Sequence, residues 1–441
     1  MSTRIFSISL LATAMLTVPA SAQLLGGVGQ TVGNTVGGVI GGFSPLEQGR
    51  AGQSLGAIGQ AAGSRLDWVS GVSGNVGLGA LNALRLQRLA DLISANRATL
   101  DRDGAGQPIR RGALIAVDPT AGDLAVAAGL GFTVAADRTD ANLGLRLVTL
   151  GVPARMNVRK ALAVLRGADP AINADYDHIF EPAGGPLAPI LAAGLAGAGS
   201  ATLSSRRIAM IDGGAANHPS LGHASIEQKG FSGPAAATGH GTAIASLLVG
   251  DQGPFHGAAR GASLFVADVY GGNPAAGSAS AIVAALGWAA SKRPSVITMS
   301  LVGPDNRALA AAVNAIRRRG IAVVAAVGND GPAAPPSYPA SYPGVVAVTG
   351  VDDKGRALVE AGRATHVDFA APGADIAAAT PGKGYARVRG TSFAAPLAAA
   401  RLVALGSADR LAAEAVPGKG RVGRGIVCAT CGIAPKAVGA R

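Results

Sequence analysis

The chain has 441 residues, enough for two or three folding units, and 49% are apolar, so a substantial core can form. Only 15% are charged while glycine contributes 65 residues, which places low-complexity sequence somewhere along the chain. The net charge of +12 comes mostly from scattered arginines with 4% aromatics, a pattern that argues against a nucleic-acid-binding face.

In chain order, Arg4 precedes an apolar run over residues 5–18, and Ala20-Ser21-Ala22 follows. These are the parts of a secretory signal peptide, with cleavage expected after Ala22. The run is too short for a comfortable membrane span, and no later stretch of 18 uninterrupted strongly apolar residues follows. A secreted chain with no membrane span after signal cleavage is expected, periplasmic or extracellular. Residues 23–75 form a Gly-rich low-complexity segment, with GGVGQTVGNTVGGVIGG at 26–42, a poor core former. Leu81, Leu84, Leu89, Leu92, Ile93 and Leu100 suit one face of a helix over 81–100.

Residues 107–183 read as strand (113–117), helix (121–128), strand (132–136), strand (145–150), helix (157–166), strand (176–180), the split βαβ order of a small α+β unit. A linker rich in Gly, Ala and Pro spans 182–205. From about 205 onward, apolar strand-length runs at 208–211, 264–269, 296–301, 321–327 and 345–351 alternate with helix-length segments at 278–292 and 307–319. Such alternation predicts an α/β architecture with a doubly wound, mostly parallel sheet and a site beyond the carboxyl ends of its strands. Cys428 and Cys431 lie near the C-terminus after Gly-rich sequence and are expected to serve structure rather than redox chemistry or zinc binding.

Four segments of the second half carry chemistry. Asp212 ends an apolar strand and is followed by Gly213-Gly214. A carboxylate there can orient an imidazole, although alone it reads equally as a turn residue. His240 sits in Thr238-Gly239-His240-Gly241-Thr242, where a tight turn opens an apolar helix. Asn329 follows the strand at 321–327, where a side-chain amide can donate to an oxyanion. Ser392 lies in Gly390-Thr391-Ser392-Phe393-Ala394-Ala395-Pro396 at the start of an Ala-rich helix, whose backbone N–H groups can face an anion.

The order Asp, His, Asn, Ser, with Ile211-Asp212-Gly213-Gly214, Gly239-His240-Gly241-Thr242, Val324-Ala325-Ala326-Val327-Gly328-Asn329 and the Ser392 motif, resembles the subtilase family of serine peptidases over residues 205–430. The resemblance implies a serine endopeptidase acting on polypeptides, with Ser392 as nucleophile, His240 as base, Asp212 as its orienting partner and Asn329 as oxyanion donor. It further implies that Ser300, Leu301, Val302, Gly303, Ala326 and Gly328, with the 270–277 segment, line the groove for an extended substrate. Residues 76–190 become a propeptide that assists folding and inhibits the enzyme intramolecularly, and 200–441 the protease domain, with the cut falling within 182–205.

Departures from the family pattern are Gly213, where Ser or Thr is usual, and Val302, where Gly is common. The short 250–261 stretch lacks a carboxylate- or Asn-rich loop, so no cofactor is expected and calcium is not supported. Competing readings are an inactive subtilase-like binding scaffold and an exported surface protein suggested by residues 23–75. The patterns GQSLG at 52–56 and GKGRVG at 418–423 lack the flanking strand that a nucleophile elbow or a dinucleotide site needs. From Val302 we expect small or medium apolar side chains before the cut bond. A peptide-library profile in which large aromatics are cut fastest would overturn that expectation.

Overall fold

The computed structural model describes residues 78–183 and 203–440. The signal peptide, the Gly-rich segment and nearly all of the 182–205 linker lie outside the described residues.

Helix α1 (Leu78–Ala95) comes first. It stops short of the predicted Leu100 because Asn96 interrupts it: the Asn96 side chain donates to Leu92 O, and Asn96 O accepts from the Thr99 and Leu100 N–H groups. Leu100 instead opens strand β1 (Leu100–Arg102). There follow β2 (Pro108–Val117), α2 (Ala121–Gly129), β3 (Thr133–Asp140), β4 (Leu145–Gly151), α3 (Val158–Ala168) and β5 (Ala174–His178). Thr120 opens α2 with a capping box, and Asn157 caps the start of α3. The strands form one antiparallel sheet in which β2 pairs with β1, β4 and β5, and β3 lies beyond β4.

Strand alternation gives this sheet two apolar faces. Leu114 and Ala116 pack with Leu162 and Leu165 of α3 in the unit's own core. Ile115 and Val117, pointing the other way, join a larger core that includes helices of the second half.

After the two-residue β6 (Glu181–Pro182), the second half supplies β7 (Arg207–Asp212), β8 (Ile226–Gly230), α4 (Gly239–Val249), β9 (Ser263–Asp268), α5 (Ala279–Ser291), β10 (Val296–Met299), β11 (Leu301–Val302), α6 (Arg307–Arg318), β12 (Ala322–Ala326), β13 (Val346–Val351) and β14 (Phe369–Pro372). The antiparallel pair β15 (Ala374–Ala379) and β16 (Tyr385–Arg389) precedes α7 (Thr391–Leu405) and α8 (Ala408–Glu414). Seven strands form one sheet in the order β14-β13-β12-β10-β7-β9-β8, every neighbour parallel.

Both faces of this sheet are covered, which accounts for strands that read as continuous apolar runs. Along β7, Ile208 and Met210 point into the core built on α4 and α7. Ala209 and Ile211 point into the core built on α5 and α6. The polar edge strand β8 (IEQKG) escapes a search for apolar runs. Cys428 and Cys431 are joined by a disulfide. Among the described residues no single helix is long and apolar enough to cross a membrane; α7 with α8 passes only as a pair bent by 108°, and most of α7 is buried in the core.

Strand β5 docks the α+β unit on the second half through helix N-termini. The Asp177 carboxylate accepts from Ser280 N–H (2.9 Å) and Ser280 Oγ (2.8 Å) at the start of α5. Asp175 Oδ2 accepts from Arg307 N–H (2.9 Å) at the start of α6. Asn306, which caps α6, donates to Tyr176 O. Burial pushes the Asp177 carboxyl up against these stabilising hydrogen bonds. Replacing it removes the acceptor of the Ser280 N–H, so Asp177→Ala should lower the unfolding midpoint of the whole chain in calorimetry, by about 1–3 kcal/mol of stability. An unchanged midpoint would show that this contact does not hold the unit.

Candidate active site

The candidate residues gather at the carboxyl ends of the parallel strands, where helix N-termini converge. Asp212 is the last residue of β7, and its side chain is 1% exposed. His240 is the second residue of α4, whose N-cap Thr238 accepts from Gly241 N–H at 2.9 Å. Nδ1 of His240 lies 2.8 Å from Asp212 Oδ1, and the same oxygen accepts from Gly213 N–H at 2.7 Å. This contact requires β7 and α4 to approach closely. A Cβ on Gly241 would run into the backbone of Gly213 and Gly214, so glycine at 241 lets the imidazole reach the carboxylate.

Ser392 is fully buried at the second position of α7. Its Oγ and His240 Nε2 are each buried without a hydrogen-bond partner among the described residues. The His240 and Phe393 rings lie 5.5 Å apart, which sets the imidazole against the start of the same helix. Gly390, the N-cap, has φ +142°, and a Cβ there would meet Asn329 Nδ2 at 2.9 Å. Asn329 follows β12, and its Oδ1 accepts from Thr391 N–H at 2.9 Å, which fixes the amide with its NH₂ turned elsewhere. That NH₂ donates to Ala183 O. Thr391 Oγ1 bridges Gly328 N–H and Gly328 O, 3.1 Å each, tying the Asn329 loop to the Ser392 helix.

Pro396 stands inside α7. It lacks the N–H that would donate to the carbonyl four residues earlier, Ser392 O. Ser300 Oγ donates to that carbonyl instead, at 2.9 Å. Ser300, expected only to line the groove, thus also supports the backbone of Ser392.

Of the residues expected to line a groove, Ser300 follows β10, Leu301–Val302 is β11, and Ala326 ends β12. The chain's own residues 179–183 run between the 300–303 segment and Gly277-Ser278. Pro182 therefore belongs to a paired strand, where its composition reads as the start of a linker. Thr238, Thr391 and the Arg88–Glu181–Asp330 cluster were not singled out from sequence. The two threonines lie within the quoted His and Ser segments, whereas the cluster joins three distant parts of the chain.

Buried Tyr270 has a hydroxyl without a partner among the described residues. Burial pushes its phenol well up, and the Asp212, Glu181 and Asp268 carboxylates add to the effect. Among the described residues no group of three His, Cys, Asp or Glu is placed to hold a metal ion.

Residues 204–413 match the Subtilase family. The chain is 35% identical over 201 residues to Subtilisin Savinase of Lederbergia lenta, covering 44% of this chain and 74% of that protein. It is 34% identical over 207 residues to the Major intracellular serine protease of Bacillus subtilis (strain 168), covering 43% and 65%. It is 35% identical over 201 residues to an Alkaline protease of Shouchella clausii, of which it spans about half (52%) while 44% of this chain is covered. In fold it is similar to fervidolysin from Fervidobacterium pennivorans, with a TM-score of 0.62 at 18% identity, covering 75% of this chain and 62% of that one. The chain belongs to the subtilase family. It is by that membership a serine endopeptidase, with the α/β fold of subtilisin-like enzymes.

Gly213 departs from the family's usual Ser or Thr for a packing reason. A Cβ at 213 would overlap the Thr238 side chain, whose Oγ1 caps the His240 helix. Gly213→Ser should therefore destabilise the chain by about 1–3 kcal/mol, the usual cost of overpacking. Pairing it with Thr238→Ala, which removes both the nearest atom, Oγ1, and the methyl, should cost less than the two single substitutions added together in thermal unfolding. Equal midpoints for wild type and Gly213→Ser would refute the account.

Proposed function

We propose that this chain is the precursor of a secreted endopeptidase that hydrolyses peptide bonds through an acyl-enzyme, with Ser392, His240 and Asp212 as its triad. The observation that carries the reading is the 2.8 Å contact between His240 Nδ1 and the buried Asp212, on the sheet end where Ser392 opens a helix. In this mechanism Ser392 Oγ attacks a substrate carbonyl and passes its proton to His240 Nε2. Asp212 holds the ring in the required tautomer and stabilises its charged form. The negative charge that develops on the carbonyl oxygen is met by the Asn329 amide and the Ser392 backbone N–H. His240 then gives its proton to the departing amine, leaving an ester on Ser392. Water attacks that ester with the same imidazole as base, restoring Ser392 and releasing a carboxylate.

In the same reading, residues 1–22 direct export, to periplasm or medium, and 76–190 are a propeptide that acts as folding aid and intramolecular inhibitor. The docked α+β unit and the residues 179–183 in the groove support that role. Residues 200–441 are the protease, taking polypeptides and no cofactor.

Ser392→Ala should abolish peptide hydrolysis and labelling by a fluorophosphonate probe. Asn329→Ala should retain labelling but lose activity by roughly 10²–10³, the loss that follows removal of the corresponding donor in subtilisin. Absence of labelling in the wild-type chain once its α+β unit has been removed, by its own cut or by an added protease, would sink the enzyme mechanism. Full activity in Asn329→Ala would remove that residue from it.

A further inference from the structure

The strand that closes the α+β unit lies in the groove residue by residue. Ile179 pairs antiparallel with Ser278, and Phe180 N–H donates to Gly277 O at 2.7 Å. Glu181–Pro182 pairs antiparallel with Leu301–Val302, and Ala183 N–H donates to Ser300 O at 2.8 Å. The strand ends with the Ala183 carbonyl oxygen accepting from Asn329 Nδ2.

The side chains fit their places. Phe180 is fully buried against Gly303, in the same core as Tyr270 and Leu301. Ala183 is 3% exposed and shares a core with Val302, whose Cγ1 would stand only 3.2 Å from a Cβ on Gly328. That closeness leaves little room beyond a methyl group.

Glu181 is fastened from outside the groove. Arg88 of α1 places Nε 3.2 Å from Glu181 Oε1 and Nη2 3.3 Å from Oε2. The same Nη2 lies 3.0 Å from Asp330 Oδ1, and Arg85 Nε lies 3.4 Å from Asp330 Oδ2. Asp330 is the neighbour of Asn329. One guanidinium therefore ties the strand in the groove to the loop that carries the donor amide. The Glu181 carboxylate, and after it Asp330, raise the Arg88 pKa against an opposing burial effect, so it stays charged.

We propose that the Ala183–Gly184 peptide bond is the one this chain cuts in itself, and that Arg88 is the positioning residue that sets the cut there. The proposal rests on the mechanism above. Ser392 Oγ forms an ester with the Ala183 carbonyl carbon while the C–N bond breaks, and the Gly184 amine leaves with the proton relayed by His240. One water then splits the ester, giving an Ala183 carboxylate and a free Gly184 amino terminus. The preferred substrate class follows from the same fit: a small apolar residue before the cut and an aromatic three positions earlier, as in Phe180-Glu181-Pro182-Ala183.

The test uses the full chain as wild type, Ser392→Ala, Arg88→Met, Arg88→Lys and Glu181→Gln, incubated alike and followed by intact mass and N-terminal sequencing. Wild type should give one new terminus at Gly184, and Ser392→Ala should stay whole. Arg88→Met and Glu181→Gln should slow the cut about tenfold and spread it over neighbouring bonds, while Arg88→Lys restores the single terminus. A purely structural role for Arg88 would reduce the folded yield without moving the terminus. A wild-type terminus elsewhere overturns the assignment and leaves the endopeptidase mechanism intact. A cut at Gly184 at the wild-type rate in Arg88→Met overturns the positioning role. A whole wild-type chain that still takes the fluorophosphonate label overturns this inference alone. A whole chain that takes no label even after an added protease has removed the docked α+β unit overturns the mechanism as well.

Discussion

The close contact between the end of β7 and the start of α4 is the constraint on which the rest of the site depends. Asp212 and His240 come from elements separated by an edge strand and a turn, and they meet because Gly241 presents bare backbone to the Gly213 and Gly214 carbonyls. Thr238 occupies the volume that a side chain at 213 would need and uses its hydroxyl to cap the helix carrying His240. Glycine at 213 and threonine at 238 are thus one packing solution. The hydroxyl missing from 213 is less a loss to Asp212 than the condition for seating α4.

A second set of contacts works by substitution of donors. Pro396 removes an internal hydrogen bond from α7 at the turn that begins with Ser392, and Ser300, between β10 and β11, supplies the missing donor. Thr391 adds a second tie, its hydroxyl accepting from Gly328 N–H and donating to Gly328 O. Both are bonds between elements rather than within one. The helix carrying Ser392 and the two loops beside it are consequently held to one another, and not only each to its own strand.

Much of this was legible in the sequence because it is local. Runs such as IAMI at 208–211 and VITM at 296–299 announce buried parallel strands, and the glycines around Asp212, His240 and Ser392 announce tight turns at helix starts. The six elements of the α+β unit likewise declare themselves by the order of their strand- and helix-length runs. What escaped is non-local or polar. The β8 segment Ile226–Gly230 has three polar residues in five and becomes a strand only by pairing with β9. The helix predicted to reach Leu100 ends at Ala95 because one asparagine side chain competes for backbone partners. Residues 181–183 read as linker because Pro and Ala carry no periodic signal, yet partners more than a hundred residues away make them a strand. Arg88, Glu181 and Asp330 have no sequence relation at all; only the fold brings them together.

If the chain is cut as proposed, Phe180 bears on the energetics of that step. Its ring is part of the same apolar core as Leu301 and Tyr270, although it belongs to the segment that leaves if the chain is cut and its N-terminal portion departs. Departure would uncover a hollow shaped for an aromatic ring and forfeit about 1.5–3 kcal/mol of burial at that position alone. The finished enzyme would then be the less stable of the two forms, and its specificity pocket would be a missing piece of its own interior. On this view, binding a peptide with an aromatic residue at that position completes a fold that processing had left incomplete.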